Sequence, residues 1–127
     1  MAGELEGTKI LLVDDDRDIL TAMQAALEDF GPEILSASDG NTAVELAEQH
    51  DPDIVVLDMM LPKRSGFLVM EKLKRGRKKS EAPRVIMITG NQGSRHKMYA
   101  QSLGVDEYLN KPFRMEKLIE TVKKFAE

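Results

Sequence analysis

Five times along the chain a short apolar run gives way to, or follows, a stretch with helical periodicity, and this alternation limits the possible folds more than any other feature. The runs are Lys-Ile-Leu-Leu-Val at 9–13, Glu-Ile-Leu-Ser-Ala at 33–37, Asp-Ile-Val-Val-Leu at 53–57, Arg-Val-Ile-Met-Ile at 84–88 and Asp-Glu-Tyr-Leu at 106–109. The first, third and fourth are almost wholly aliphatic, as strands buried on both faces are; the second and fifth are mixed, which suits sheet edges. Between them, apolar residues recur at spacings of three and four. Ile19, Met23, Ala26, Leu27 and Phe30 mark a helix over 17–29; Ala43, Leu46 and Ala47 one over 41–49; Phe67, Met70 and Leu73 one over 66–75; Met98, Tyr99 and Leu103 one over 95–103. Met115, Leu118, Ile119, Val122 and Phe125 form the clearest stripe. Gly31-Pro32, Asp39-Gly40, Asp51-Pro52, Ala82-Pro83 and Gly104 separate the elements. Five strand–helix units predict an α/β fold, a doubly wound parallel sheet with helices on both faces. Right-handed crossovers then force the strand order to reverse, and ligands bind at the carboxyl ends of the strands beside that reversal.

At 127 residues the chain has room for one domain of ordinary size, and such a domain needs no disulfide staples. The absence of cysteine excludes disulfide scaffolds, thiolate metal sites and thiol nucleophiles. With 18 Lys and Arg against 22 Asp and Glu, the net charge is −4, which argues against a free-standing nucleic-acid binder. No apolar run approaches the ~20 residues that cross a bilayer, and the acidic start lacks the basic and apolar blocks of a signal peptide. The expected location is cytoplasmic. Residues 1–7 read as a ragged or disordered segment ahead of a single domain over 8–127.

The strand ends carry the chemistry. Strand one ends in Asp14-Asp15-Asp16, strand three in Asp58, strand four in Thr89-Gly90, and strand five leads into Asn110-Lys111-Pro112. Parallel strands point these ends the same way, about 4.8 Å apart strand to strand. Carboxylates ~5 Å apart repel by about 3 kcal/mol at an effective dielectric near 20. A shared proton, a cation or both must offset that. Lys111 supplies one ammonium, and among metals an oxygen-only donor set favours Mg²⁺ or Mn²⁺. His50 and His96 lie away from the strand ends, which speaks against zinc. A carboxylate in such surroundings can attack phosphorus to form an acyl phosphate, with metal, Lys and Thr neutralising or binding the transferred group. Asp16, directly before a helix, reads as its N-cap.

These segments, Ile-Leu-Leu-Val-Asp-Asp-Asp at 10–16, Val-Val-Leu-Asp-Met-Met-Leu-Pro at 55–62 with Ser65-Gly66, Ile-Met-Ile-Thr-Gly at 86–90 and Gly-Val-Asp-Glu-Tyr-Leu-Asn-Lys-Pro-Phe at 104–113, resemble the CheY-like receiver domain of bacterial two-component response regulators. The resemblance spans about 8–126 and implies the strand order 2-1-3-4-5. It implies that Asp58 takes a phosphoryl group from a phosphohistidine, and that Mg²⁺ (or Mn²⁺) binds Asp15, Asp58 and the Met60 carbonyl, with Asp14 holding the metal's water. It further implies that Thr89, Gly90 and Lys111 bind the phosphoryl group, that Thr89 and Tyr108 form the switch, and that Lys111–Pro112 is cis. Met60 and Asn91 occupy positions that tune dephosphorylation. Gly90 stands where the family commonly has Ala. The implied partners are a sensor histidine kinase or phosphotransfer protein upstream, and an effector protein or a C-terminal output domain downstream. The face made by 95–103, the fifth strand and the last helix would carry the signal, with no direct nucleic-acid or membrane contact.

Other readings are weaker. Haloacid-dehalogenase-like phosphatases need a second Asp two residues past the nucleophile, where this chain has Met60. A flavodoxin-type phosphate cradle would be repelled by Asp14-Asp15-Asp16. Residues 90–97 lack the Gly-Lys-Ser/Thr ending of a P-loop. A phosphorylation-independent interaction module and a small metal-dependent phosphatase stay open as alternatives. Lys72, Lys74, Arg75, Arg77, Lys78 and Lys79 read as a solvated basic helix end, favoured by the helix dipole, over a docking patch. The methionines read mainly as core filling.

Overall fold

The three aliphatic runs lie side by side at the centre of one parallel sheet, where both of their faces can be covered. The computed structural model describes residues 3–61, 63, 65–74, 83–90, 98 and 101–126. Its elements are β1 (Lys9–Val13), α1 (Arg17–Glu28), β2 (Glu33–Ala37), α2 (Gly40–His50), β3 (Ile54–Asp58), α3 (Gly66–Lys74), β4 (Arg84–Thr89), β5 (Glu107–Asn110) and α4 (Met115–Ala126). Met98, Gln101 and Ser102 are also helical. The five strands run in the order β2-β1-β3-β4-β5 with every pair parallel. This is the doubly wound, CheY-like arrangement, with the mixed strands β2 and β5 at the edges.

Side chains alternate across the sheet and so build two cores. Leu11, Val13, Val55, Leu57, Val85 and Met87 join Ala43, Val44 and Ala47 of α2 and Val69, Met70 and Leu73 of α3. Ile10, Leu12, Ile54, Val56, Ile86 and Ile88 join Met23 and Leu27 of α1 and Leu118 and Val122 of α4. Fully burying each Val, Leu, Ile or Met side chain among them stabilises the fold by roughly 1.5–3 kcal/mol. Asp16 caps α1, its Oδ1 accepting from Asp18 N–H at 2.9 Å and Ile19 N–H at 3.4 Å. Asp39 caps α2 by accepting from Thr42 N–H at 2.8 Å.

The central ladder continues one residue past the apolar runs. Asp58 lies opposite Ile88, Met59 N–H donates to Ile88 O at 2.9 Å, and Lys111 N–H donates to Thr89 O at 2.7 Å. Backbone pairing therefore carries Asp58, Thr89 and Lys111 to one edge of the sheet. Among the described residues no helix is long and apolar enough to cross a membrane.

Three sequence expectations need correction. Residues 3–7 are not ragged: Leu5 is 1% exposed and its N–H donates to Phe30 O at 2.8 Å. A lone Leu between two glutamates has no periodic partner to announce its burial. Lys74 is not solvated; it is 6% exposed and its Nζ lies 3.1 Å from Asp106 Oδ2. It ends α3 on the face against the sheet, where a carboxylate from before β5 meets it. Met98, placed on an apolar stripe by spacing, is 68% exposed. Arg75, Arg77, Lys78, Lys79, His96 and Tyr99 lie outside the described residues.

Candidate functional site

The two adjacent acids after β1 have different surroundings. Asp14 N–H still donates to Ala37 O of β2 at 3.2 Å, so Asp14 stays within the sheet and is fully buried, while Asp15 is exposed. Asp14 Oδ1 accepts from Asp16 N–H at 2.9 Å. Across the switch in strand order, Asp58 is 4% exposed. Its Oδ1 accepts from Met60 N–H at 3.1 Å and its Oδ2 accepts from Lys111 Nζ at 3.3 Å. Lys111 Nζ is also 3.1 Å from Asp14 Oδ2. That oxygen is buried and makes no directed hydrogen bond; its near partner is the Lys111 ammonium. One oxygen from each of Asp14, Asp15 and Asp58 falls within 4.8 Å of the others.

Fixing Asp58 in place needs a close backbone approach. A Cβ on Gly66 would stand 2.6 Å from Asp58 O and 2.6 Å from Met59 Cα, and Gly66 N–H donates to Met59 O at 2.9 Å. The first turn of α3 thus rests directly on the chain that follows Asp58, with no room for a side chain between them.

The charges do not balance: among the described residues three acids converge, and the Lys111 ammonium pairs with two of them, Asp14 and Asp58. Burial pushes the Asp58 carboxyl up to about 6, and the negative charge of Asp14 adds to this, against the pull of Met60 N–H and of Lys111. Burial disfavours the Lys111 charge, but the carboxylates of Asp14 and Asp58 outweigh it and raise its pKa above the ordinary lysine value. A buried carboxylate oxygen without a hydrogen bond, beside two further converging carboxylates, fits a hard divalent cation such as Mg²⁺ or Mn²⁺.

The remaining residues are placed as follows. Thr89 is fully buried at the end of β4. Tyr108 on β5 is half-buried and shares a side-chain hydrogen bond with Thr89; burial raises its pKa. Gly90 is exposed, and a Cβ there would meet nothing within 4 Å, so the space around it would admit the family's common Ala. The Met60 side chain is 69% exposed. The Lys111–Pro112 peptide is cis. Asn91 lies outside the described residues. Sequence reasoning missed the two backbone donors that hold the acids, Asp16 N–H and Met60 N–H, because main-chain groups carry no residue-type signal. The role of Gly66 is legible only as a glycine opening a helix, which is itself a sign of close approach.

Residues 10–123 match the sequence profile of the response regulator receiver domain, and the chain belongs to that family of signalling domains. Solved structures agree. A CheY-like response regulator receiver domain protein from Methanospirillum hungatei JF-1 is 28% identical over 94% of this chain and 93% of its own, with a TM-score of 0.85. The receiver domain of the Francisella response regulator 1452 is 28% identical over 94% and 96%, with a TM-score of 0.84. The chemotaxis response regulator CheY4 of Vibrio cholerae is 27% identical over 93% and 98%, with a TM-score of 0.83.

Proposed function

We propose that this chain is a phosphorylation-controlled switch in which Asp58 accepts a phosphoryl group from the phosphohistidine of a sensor kinase or phosphotransfer protein. The observation that carries the reading is Asp58 itself, a nearly buried carboxylate 3.3 Å from Lys111 Nζ and oriented by Met60 N–H. One Asp58 oxygen forms the new O–P bond; the P–N bond breaks and its electron pair leaves with the imidazole. The attacking form is the carboxylate, which predominates at neutral pH for a group titrating at about 6. Lys111 then contacts the transferred group, Thr89 turns its hydroxyl toward it, and the Gly90 backbone lines it. Asp14, Asp15, Asp58 and the Met60 carbonyl would hold Mg²⁺ or Mn²⁺. Bound there, the cation neutralises charge on the transferred phosphoryl group.

Because Tyr108 is already bonded to Thr89, movement of Thr89 draws on Tyr108. The surface around Met98, Gln101 and Ser102, β5 and α4 changes with it. An effector protein, or an output domain outside this chain, reads that face in the cytoplasm. Hydrolysis of the acyl phosphate resets the switch, at a rate tuned by the residue types at positions 60 and 91. The chain catalyses nothing beyond its own phosphorylation and dephosphorylation.

Acetyl phosphate or beryllium trifluoride, with and without Mg²⁺, tests this. Wild-type protein should take up one phosphoryl group in Mg²⁺ and little without it, and Asp58→Ala should take up none. Uptake by Asp58→Ala at the wild-type rate would overturn the site. No Asp58-dependent response would leave an interaction module, and multiple turnover on added phosphoesters would make the chain a phosphatase.

A further inference from the structure

Residues 3–7 lie ahead of the 10–123 family match, yet they are tied to the fold in three ways. Leu5 is buried in the cluster that holds Leu27 of α1 and Leu118 and Val122 of α4. Its N–H donates to Phe30 O at 2.8 Å, and Thr8 N–H donates back to Leu5 O at 3.0 Å. Glu4 Oε2 pairs with Lys123 Nζ of α4 at 2.9 Å, and the same ammonium stands 4.1 Å from the centroid of the Phe30 ring. The segment crosses directly over the turn between α1 and β2. Gly31 there has φ +88°, and a Cβ on it would stand 2.8 Å from Glu6 Cγ.

Helix α4 is thereby held at two places. Its head follows Lys111, which binds Asp58 through Nζ and Thr89 O through its N–H. Its tail carries Lys123 under residues 3–7. From Met115 to Lys123 the helix rises about 12 Å. The head is coupled to the acid pocket; the tail is coupled to α1 and makes none of the pocket's contacts.

We infer that residues 3–7 are a clasp that fixes the tail of α4 to the end of α1, so that a rearrangement started at the pocket is confined to the head of α4. The clasp makes α4 a lever with one fixed end, and this part rests on the phospho-acceptor reading above. Glu4, Leu5 and Lys123 are its working residues: Leu5 supplies the apolar anchor, and the Glu4–Lys123–Phe30 arrangement sets where the helix end sits.

Amide hydrogen exchange on the full chain tests it, with beryllium trifluoride and Mg²⁺ as the phosphoryl mimic. In wild type the mimic should change exchange over 111–118 and leave 120–126 as it was. Leu5→Ala should speed exchange about tenfold or more over 27–31 and 120–126, with β3 and β4 much less affected, and the mimic's effect should then reach 120–126. Glu4→Gln, which keeps the apolar anchor, should give the same pattern at a few-fold amplitude; it serves if Leu5→Ala does not fold. Uniform acceleration through β3 and β4 in Glu4→Gln, or a wild-type response at 120–126 equal to that at 111–118, would overturn the clasp. A mimic without effect anywhere in wild type would sink the phospho-acceptor reading instead. The clasp would then stand or fall on whether acceleration in the two variants is local or uniform.

Discussion

The two ends of the sheet each bury a lysine–aspartate contact, and the two differ in balance. At the amino end, Asp106 faces two cations and a backbone donor: Lys74 Nζ at 3.1 Å, Arg84 Nη1 at 3.7 Å and Val85 N–H at 2.8 Å. At the carboxyl end, Asp14 and Asp58 share the Lys111 ammonium, Asp15 adds a third carboxylate beside them, and a buried oxygen of Asp14 has no directed hydrogen bond. Burial is nearly the same, with Asp106 and Asp58 side chains 2% and 5% exposed. Burial of charge alone therefore does not mark a working site. Satisfied charge ties elements together; unsatisfied charge of one sign waits for a ligand that completes it.

The largest test of this contrast is at the satisfied end. Asp106→Ala removes a carboxylate on which α3, β4 and the start of β5 all converge. Breaking such a buried pair should cost about 3–5 kcal/mol, read by urea unfolding, and it should leave the pocket chemistry intact in whatever fraction folds. A loss under 1 kcal/mol would mean that the two ends do not differ as described.

At the acid pocket the sign should reverse. The Asp58 carboxyl titrates at about 6 in the fold against 3.8 ordinarily. Between those values the folded protein still holds a proton that the unfolded chain has released, so stability falls as pH rises through that window, and the cost is complete above it. In EDTA, Asp58→Asn should therefore raise the unfolding free energy at neutral pH by roughly 2–3 kcal/mol. The gain should shrink as pH drops through the window and vanish below it. Mg²⁺ should then stabilise wild type and not the variant; equal stabilisation of both would remove the cation from this pocket.

Two glycines give the smaller effects. Gly66→Ala places a methyl 2.6 Å from backbone atoms at Asp58 and Met59, a clash that should cost about 1–3 kcal/mol and slow phosphoryl uptake by displacing Asp58. Gly90→Ala meets nothing within 4 Å. It should be neutral or add up to about 1 kcal/mol, mostly by restricting the unfolded chain. If the two substitutions had equal effects in thermal unfolding, backbone proximity would not be what distinguishes them.

Much of this was legible in the residues. Ile10 to Val13, Ile54 to Leu57 and Val85 to Ile88 read as central strands because a strand covered on both faces has no polar side to keep. Asp14, Asp58, Thr89 and Lys111 read as one site because parallel strands must deliver their carboxyl ends together. The misreadings share a cause. Near neighbours in sequence do not announce the burial of Leu5 or Lys74, which depends on residues far away, Phe30 for Leu5 and Asp106 for Lys74, nor the exposure of Met98.

The sequence by itself determined the sheet, its helical layers and the set of acids and lysine at its carboxyl edge, since these follow from periodicity and from strand ends that every parallel sheet aligns. Only the tertiary structure decided which acid of the Asp14–Asp15 pair is sealed from water, that Asp58 titrates near 6, and that Leu5 closes over α1 and α4. Desolvation and charge pairing depend on atoms brought close by the whole fold, and no local pattern of residues encodes those distances.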